Sequence, residues 1–536
     1  MRSFNKIIPR CLLNSSEIQA IKNFAENYKV AVGLEALSRF LKDTFDLDMV
    51  LDRGIVEGFE TDSSNLPGHA LGLCRPASER EAAVFLSAFY LCQVPVTVSG
   101  GRSNLTGSAT PKDSVILSTV KLVYPAPLIV DDERVRVAAG WNFEEMREEV
   151  LRLTDGKLCF PVDPTSRFDA AVGGAIACNA SGFTPGEQGA MRHWVESLRF
   201  LLPDGCLVEA RRGEIVSEDG FFIIQKPHGE IAWPVPRYLR PNIKNAAGPY
   251  SSPDGRIDLV DYIIGSEGIF GLVTECELRL APMPEERFEI FFSLPDESDA
   301  VKVLQEALRR NNGDLSRYHA LEYFGPRCRR YIDNDTRFYQ TDDEVALYIV
   351  QPVFGDGGPD EAAGEWLEIL AGAGCDIDED NILLFDDEKT HHLFVEARHS
   401  LPANAIEVSN ERGNITILTD TVVPPENFKE LLDWSKEMLE DAGLDYLYYG
   451  HFGDCHLHFW IFPEAGEEEK GIQVYDVLVK KSAELGGVYS GEHGTGKRKR
   501  KDFLLCYGPE AADAVRASKT AVDPGFSMNR GNVVSP

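Results

Sequence analysis

Three histidines fall close together in Gly450-His-Phe-Gly-Asp-Cys-His-Leu-His-Phe459, at His451, His456 and His458. On a strand, residues two apart share a face, so His456 and His458 could chelate one cation unaided. The Gly453-Asp454 turn can fold His451 back beside them. Imidazole is the commonest metal side-chain ligand and also titrates near neutrality, so the cluster suits a divalent ion or proton transfer. A second polar pair, Glu492-His493, sits in Ser490-Gly-Glu-His-Gly-Thr-Gly496. Adjacent side chains of an extended segment point to opposite sides, so one can face a metal and the other a substrate.

Three loops of small residues offer backbone to a ligand. In Val94-Pro-Val-Thr-Val-Ser-Gly-Gly-Arg-Ser-Asn-Leu-Thr-Gly107 a strand runs into Gly100-Gly101. Adjacent glycines turn tightly and aim several N–H groups at one anion. Ser99, Ser103 and Thr106 add hydroxyl donors, and a diphosphate is the natural guest. Gly173-Gly-Ala-Ile-Ala-Cys-Asn-Ala-Ser-Gly182 is small everywhere but Ile176, with Asn179 and Ser181 as polar edges. Gly265-Ser-Glu-Gly-Ile-Phe-Gly271 leads into a strand. Three such loops together suggest a long cofactor laid against backbone. Neither G-x-G-x-x-G nor G-x-x-x-x-G-K-[ST] is present, which argues against nicotinamide and ATP sites of those kinds.

The elements that must carry these residues follow from pattern. At 536 residues, two or three domains are expected. The region 1–64 reads as a charged helical extension, and Ser78–Tyr90 as an amphipathic helix. Short strands such as Val94–Val98, Val115–Leu117, Arg134–Val137 and Gly271–Leu280 then alternate with glycine turns over 65–284, an α+β pattern. Arg211–Ile257, rich in Pro, Arg and Gly, reads as an insertion or long excursion. Beyond Pro282 and Pro284, strands (Phe288–Phe292, Ala346–Gln351, Ile415–Thr421) alternate with helices (Asp299–Arg310, Glu361–Leu370, Glu426–Asp441). This suggests a second domain, 285–504, with an antiparallel sheet and helices on one face. Residues 505–536 form a final segment.

Composition narrows the function. The chain has 54 basic and 86 acidic residues, a formal −32, so nucleic acid and anionic lipid are not expected partners. No apolar run reaches the roughly 18 residues of a membrane span, and the N-terminus lacks a secretory pattern, so the expected location is cytoplasmic, with an organelle or peripheral membrane association left open. The 11 cysteines form no C-x-x-C pair, so iron–sulfur or structural zinc ligation is not expected. The one dense basic run, Lys497–Lys501, is either a solvated loop or a patch for an anionic group.

In order and spacing these motifs resemble the FAD-linked oxidoreductases of the vanillyl-alcohol oxidase and p-cresol methylhydroxylase superfamily. The resemblance is to the branch with D-lactate dehydrogenase, D-2-hydroxyglutarate dehydrogenase and the glycolate oxidase flavin subunit. It runs from about Pro76 to the C-terminus. It implies a two-part FAD-binding domain, a ferredoxin-like α+β cap, and a tail returning to the flavin edge with Asn529. It implies non-covalent FAD on Ser99, Gly100, Gly101, Arg102, Ser103, Asn104, Gly107, Pro164, Thr165, Gly173, Gly174, Ala177, Asn179, Ser181, Gly182, Glu267, Gly268, Gly271 and Val273. It further implies a divalent metal, zinc or manganese, on His451, His458 and Glu492, with His493 as base and Arg398 on the substrate carboxylate. The position of His456 is usually asparagine in that family.

The implied reaction oxidises a D-2-hydroxy acid to the 2-oxo acid, with hydride passing to the flavin. Leu418 stands where the hydroxyglutarate enzymes carry a substrate-side lysine, and Trp460 replaces a small polar residue, so a D-lactate-like monocarboxylate with an apolar or aromatic tail is expected. Electrons must then leave to an external acceptor, such as an electron-transfer flavoprotein, an iron–sulfur protein, a quinone or oxygen. A homodimer stays open. So do two other roles: a flavin-bearing electron-transfer subunit of a larger complex, and a non-redox transferase of the alkylglycerone-phosphate synthase type.

Overall fold

A computed structural model describes residues 5–536 apart from 29–32, 132, 228, 334–340, 342–343, 356, 376, 378–380, 387 and 415. Two larger sheets lie at the centre of the first part. Met49–Val50, His69–Cys74, Lys112–Ser118 and Val96–Ser99 lie side by side in that order. Lys112–Ser118 runs parallel to both of its neighbours. Helix Glu79–Cys92 starts on the Ser78 hydroxyl, which accepts from the Glu81 amide, and buries Phe85 and Phe89. The N-terminal helices Ser15–Asn27 and Gly33–Phe45 add Ile21, Leu37 and Leu41 to the same core. The expected helical extension therefore packs as part of this layer.

The second sheet is five-stranded and antiparallel, in the order Leu207–Arg211, Val195–Leu201, Leu272–Arg279, Arg134–Ala138, Leu128–Asp131. The segment read as an insertion or long excursion, 211–257, holds regular structure. It contains a hairpin, Phe221–Lys226 with Gly229–Pro234, which Lys6–Ile7 joins as a third strand. Phe222 and Trp233 are fully buried in the largest core, and Trp233 Nε1 donates to Ser518 Oγ at 2.9 Å. Burial of two aromatics explains why this segment is ordered despite its prolines.

The cap is an eight-stranded sheet, antiparallel at every pairing, in which Ala320–Phe324, Asp445–His451 and His456–Phe462 lie next to one another. Strand alternation sends Leu457, Phe459 and Ile461 into a core with helices Glu297–Arg310, Gly358–Ala373, Pro425–Asp441 and Glu468–Glu484. The opposite parity, Trp460 and Phe462, meets Phe394, Ala397, Leu401 and Ala405 of helix Glu388–Glu411. Helices therefore cover both faces, not one as expected. The second face is also apolar, with Phe291, Phe324, Ala346 and Tyr348, and needs its own cover. Of the expected strand Ile415–Thr421, Ile417–Leu418 and Thr421–Val422 are strands, while Ile415 lies outside the described residues.

The chain then returns. Thr495 and Gly496 donate their amides to buried Glu267 at 2.7 Å each. The helical stretch Arg500–Val522 packs on the hairpin strand Gly229–Pro234. Met528 bridges to Val96, and the Asn529 amide donates to the Val96 carbonyl at 2.8 Å.

Candidate active site

One cavity of about 1570 Å³ runs between the first part and the cap. Gly100 to Asn104, Pro164, Thr165, Gly173, Gly174, Ala177, Ser181, Gly182, Glu267, Gly268, Gly271, Val273 and Asn529 line it. Three expected residues lie off its wall. Ser99 is fully buried inside its strand; Gly107, at φ 80°, packs against Leu66; Asn179 ends a helix at φ 51° and accepts from the Arg192 amide.

The wall suits a long dianionic cofactor. Among the described residues, the amides of Gly101, Arg102, Ser103 and Asn104 donate to no protein acceptor. Buried Ser181 Oγ likewise has no partner. A Cβ on Gly101 would lie 1.7 Å from the Asp169 carbonyl, so glycine is what lets the loop turn; a Cβ on Gly174 would meet nothing within 4 Å. Asn104 fixes the loop: Oδ1 accepts from the Thr106 and Ser108 amides, and Nδ2 reaches the His493 carbonyl at 3.3 Å.

The same cavity is lined by Arg398, His451, His458, Glu492 and His493. Strand parity explains the gathering. His451, His456 and His458 share the sheet face that carries Trp460, away from the aliphatic core. His451 Nε2 lies 3.2 Å from Glu492 Oε2, and His458 Nε2 lies 3.2 Å from Glu492 Oε1. The other ring nitrogens face backing groups: His451 Nδ1 meets Glu322 Oε1 at 2.8 Å and His458 Nδ1 meets the Thr419 carbonyl at 3.2 Å. Two ligands each about 2.1 Å from a tetrahedral ion sit about 3.4 Å apart, so the residues fit a divalent cation in ligand type and spacing.

Several working residues escaped the sequence reading. Glu322 joins two of the expected ones, since its second oxygen accepts from Arg398 at 2.8 Å. Burial would raise the Glu322 carboxyl, but His451 and Arg398 outweigh it and hold it at about 2. Its strand, Ala320–Phe324, is otherwise apolar, and a lone carboxylate there is a signal that sequence does offer. Lys244, from the 211–257 segment, places Nζ 3.1 Å from Glu492 Oε2 and 3.5 Å from Asp454 Oδ2. Burial again opposes ionisation of Glu492, and Lys244 with His451 keeps it well below the usual carboxylate range.

Asp420 is the hub behind the base. Fully buried, it accepts from His456 Nε2 at 2.9 Å, Ser490 Oγ at 2.6 Å, Lys499 Nζ at 2.8 Å and the His493 amide at 3.1 Å. His493 Nδ1 lies 3.4 Å from it. Burial is the largest influence on His493 and pushes its imidazole down to about 4, so the ring is neutral near pH 7. The basic run dissolves into separate tasks, neither a solvated loop nor one patch. Lys497 donates to the Gly107 carbonyl and Asn532, Lys499 pairs with Asp420, and exposed Lys501 pairs with Asp476. His391 and His392 stay partly or largely exposed on their helix.

Arg398 stacks over Phe183 at 4.2 Å. Tyr449, Leu418 and Trp460 line the cavity beside it, with Leu418 registered opposite Trp460.

Both parts of the chain have counterparts among known proteins. Residues 70–211 match the FAD binding domain family, and 283–533 match the FAD linked oxidases, C-terminal domain. A D-lactate dehydrogenase from Archaeoglobus fulgidus is 27% identical over 470 residues, covering 86% of this chain and 90% of the relative. A D-2-hydroxyglutarate dehydrogenase from Xanthomonas citri is 23% identical, covering 86% and 89%. The solved structure of p-cresol methylhydroxylase with substrate bound shares the fold with a TM-score of 0.66 at 13% identity, over 99% of both chains. An alkyldihydroxyacetonephosphate synthase structure superimposes with 0.64 at 16% identity, over 92% and 83%. Among the described residues, no helix is long and apolar enough to cross a membrane. The glycine loops, the cap and the returning tail thus belong together: the chain joins an FAD binding domain to the C-terminal domain of the FAD linked oxidases, and along most of its length it is similar to D-lactate and D-2-hydroxyglutarate dehydrogenases.

Proposed function

We propose that the chain is an FAD-dependent dehydrogenase of D-2-hydroxy acids, favouring a monocarboxylate with an apolar tail. The observation that carries this is the meeting of Arg398, the His451–His458–Glu492 set and His493 in the cavity lined by the cofactor loops. Arg398, backed by Glu322, offers its guanidinium to the substrate carboxylate. Asp420 near Nδ1 of His493 keeps a proton there and leaves Nε2 to accept the hydroxyl proton. A divalent ion held by His451, His458 and Glu492 would supply a Lewis acid that lowers the pKa of the α-hydroxyl. FAD in the cavity would supply the two-electron acceptor for the hydride from the α-carbon.

The tail preference rests on Leu418, Trp460 and Tyr449, three uncharged side chains of the cavity wall, with Leu418 where a related lysine would stand. The reduced enzyme would pass its electrons to an external acceptor. Anaerobic titration of the flavin spectrum with D- and L-2-hydroxy acids is the test. Bleaching by D-acids with apolar tails is expected. Stronger bleaching by D-2-hydroxyglutarate would overturn the substrate assignment, and bleaching by none of them would overturn the dehydrogenase reading.

A further inference from the structure

His456 is fully buried and stands where the resembling enzymes usually carry asparagine. Its Nε2 faces Asp420 Oδ1 at 2.9 Å. Asp420 also accepts from Lys499 and Ser490, so it is an ionised acceptor and the His456 proton belongs on Nε2. That leaves Nδ1 as a lone pair. Buried Nδ1 has no hydrogen-bond partner among the described residues. A histidine serving only to fill the core would be expected to find a donor for that nitrogen.

His456 has other ligand side chains beside it. One ligand atom from each of His451, His456, His458 and Glu492 lies within 4.8 Å of every other. The His456 and His458 rings are 4.6 Å apart, and the His456 and His451 rings 5.3 Å. Atoms held about 2.1 Å from a common ion spread to at most about 4.2 Å, so a small inward adjustment closes the set. Asp420 behind His456 repeats the carboxylate–histidine–metal arrangement that fixes a ligand's tautomer, as Glu322 does behind His451.

We propose that His456 is a further protein ligand of the divalent ion, through Nδ1, so that this chain holds its metal with three imidazoles and one carboxylate. This rests on the metal site proposed above. It makes the site richer in nitrogen than two histidines and a glutamate, and so better suited to zinc than to manganese.

The test is zinc K-edge X-ray absorption of the purified FAD-loaded enzyme and its His456→Asn variant, with metal content and chelator competition measured on both. Asparagine keeps an N–H for Asp420. Three imidazoles in the wild type and two in the variant are expected, with zinc affinity falling at least about tenfold and FAD content unchanged. Two imidazoles in a zinc-containing wild type would overturn the proposal and leave the metal reading intact. Equal affinity and equal imidazole number in both proteins would do the same. A wild type that binds no metal, with Lys244 as the only cation on Glu492, would overturn both readings. Should the variant fail to fold, the wild-type imidazole number alone decides.

Discussion

Asp420 and Lys499 form a pair whose joint removal should cost less than its two single losses added together. Asp420 is fully buried and the Lys499 side chain is 6% exposed, with 2.8 Å between them, so solvent screening is slight. Asp420→Asn keeps the shape but removes the charge. Lys499 is then left as an uncompensated buried ammonium, and the new amide turns N–H groups toward donors at Lys499 and the His493 backbone. Halving a buried pair costs about 3–5 kcal/mol. Lys499→Met should cost less, about 1–3 kcal/mol, because Asp420 still accepts from Ser490, His456 and the His493 amide. The double variant carries no stranded charge, so its loss should fall short of the sum by about 2–3 kcal/mol. Against a reserve of about 5–15 kcal/mol, Asp420→Asn should still fold at low temperature. Urea unfolding at fixed FAD concentration, followed by flavin fluorescence and far-UV circular dichroism together, measures the cycle. Additive losses, or an Asp420→Asn loss below about 0.5 kcal/mol, would refute the view that this charge pair anchors the loop bearing Glu492 and His493.

Four further outcomes are expected. His493→Ala should slow flavin reduction by substrate about 10²–10⁴-fold in stopped flow while FAD stays bound, because only the proton acceptor is lost; an unchanged rate removes His493 from that role. Chelation should abolish reduction without releasing FAD, and zinc or manganese should restore it; undiminished reduction in metal-free protein refutes the metal reading. Gly101→Ala should yield little folded protein, since its Cβ would meet the Asp169 carbonyl, whereas Gly174→Ala should fold normally and bind FAD more weakly by projecting into open cavity; equal behaviour in a thermal and FAD-content assay would refute the contrast. Arg398→Lys should lower kcat/KM sharply, because lysine cannot reproduce the planar fork or the stacking on Phe183; steady-state kinetics near wild type would refute the carboxylate assignment.

What sequence could reveal here was whatever is local. The glycine loops, the period-two strand bearing His456 and His458, and the Glu492-His493 pair are each contained in a few consecutive residues, and chain geometry alone limits what they can do. The backing groups are not local. Glu322 reaches His451 because their strands pair in register across 129 residues, and nothing in Ala320–Phe324 itself specifies that partner. Its signal was chemical instead: a carboxylate in a strand of apolar neighbours must have a cationic or donor partner somewhere. Lys244 was hidden for a different reason. The Pro, Arg and Gly content of 211–257 made it read as an insertion or long excursion, and composition does not show that burial of Phe222 and Trp233 packs it into the first core and delivers a lysine to Glu492. The Lys497–Lys501 run misled in the same way, since composition treats five adjacent cations as one patch while the backbone sends Lys497 and Lys499 to separate buried acceptors. In both cases a charged side chain was read by its neighbours in sequence. Its role was set by the buried carboxylate it neutralises, and such carboxylates are where a reading of related chains should look first.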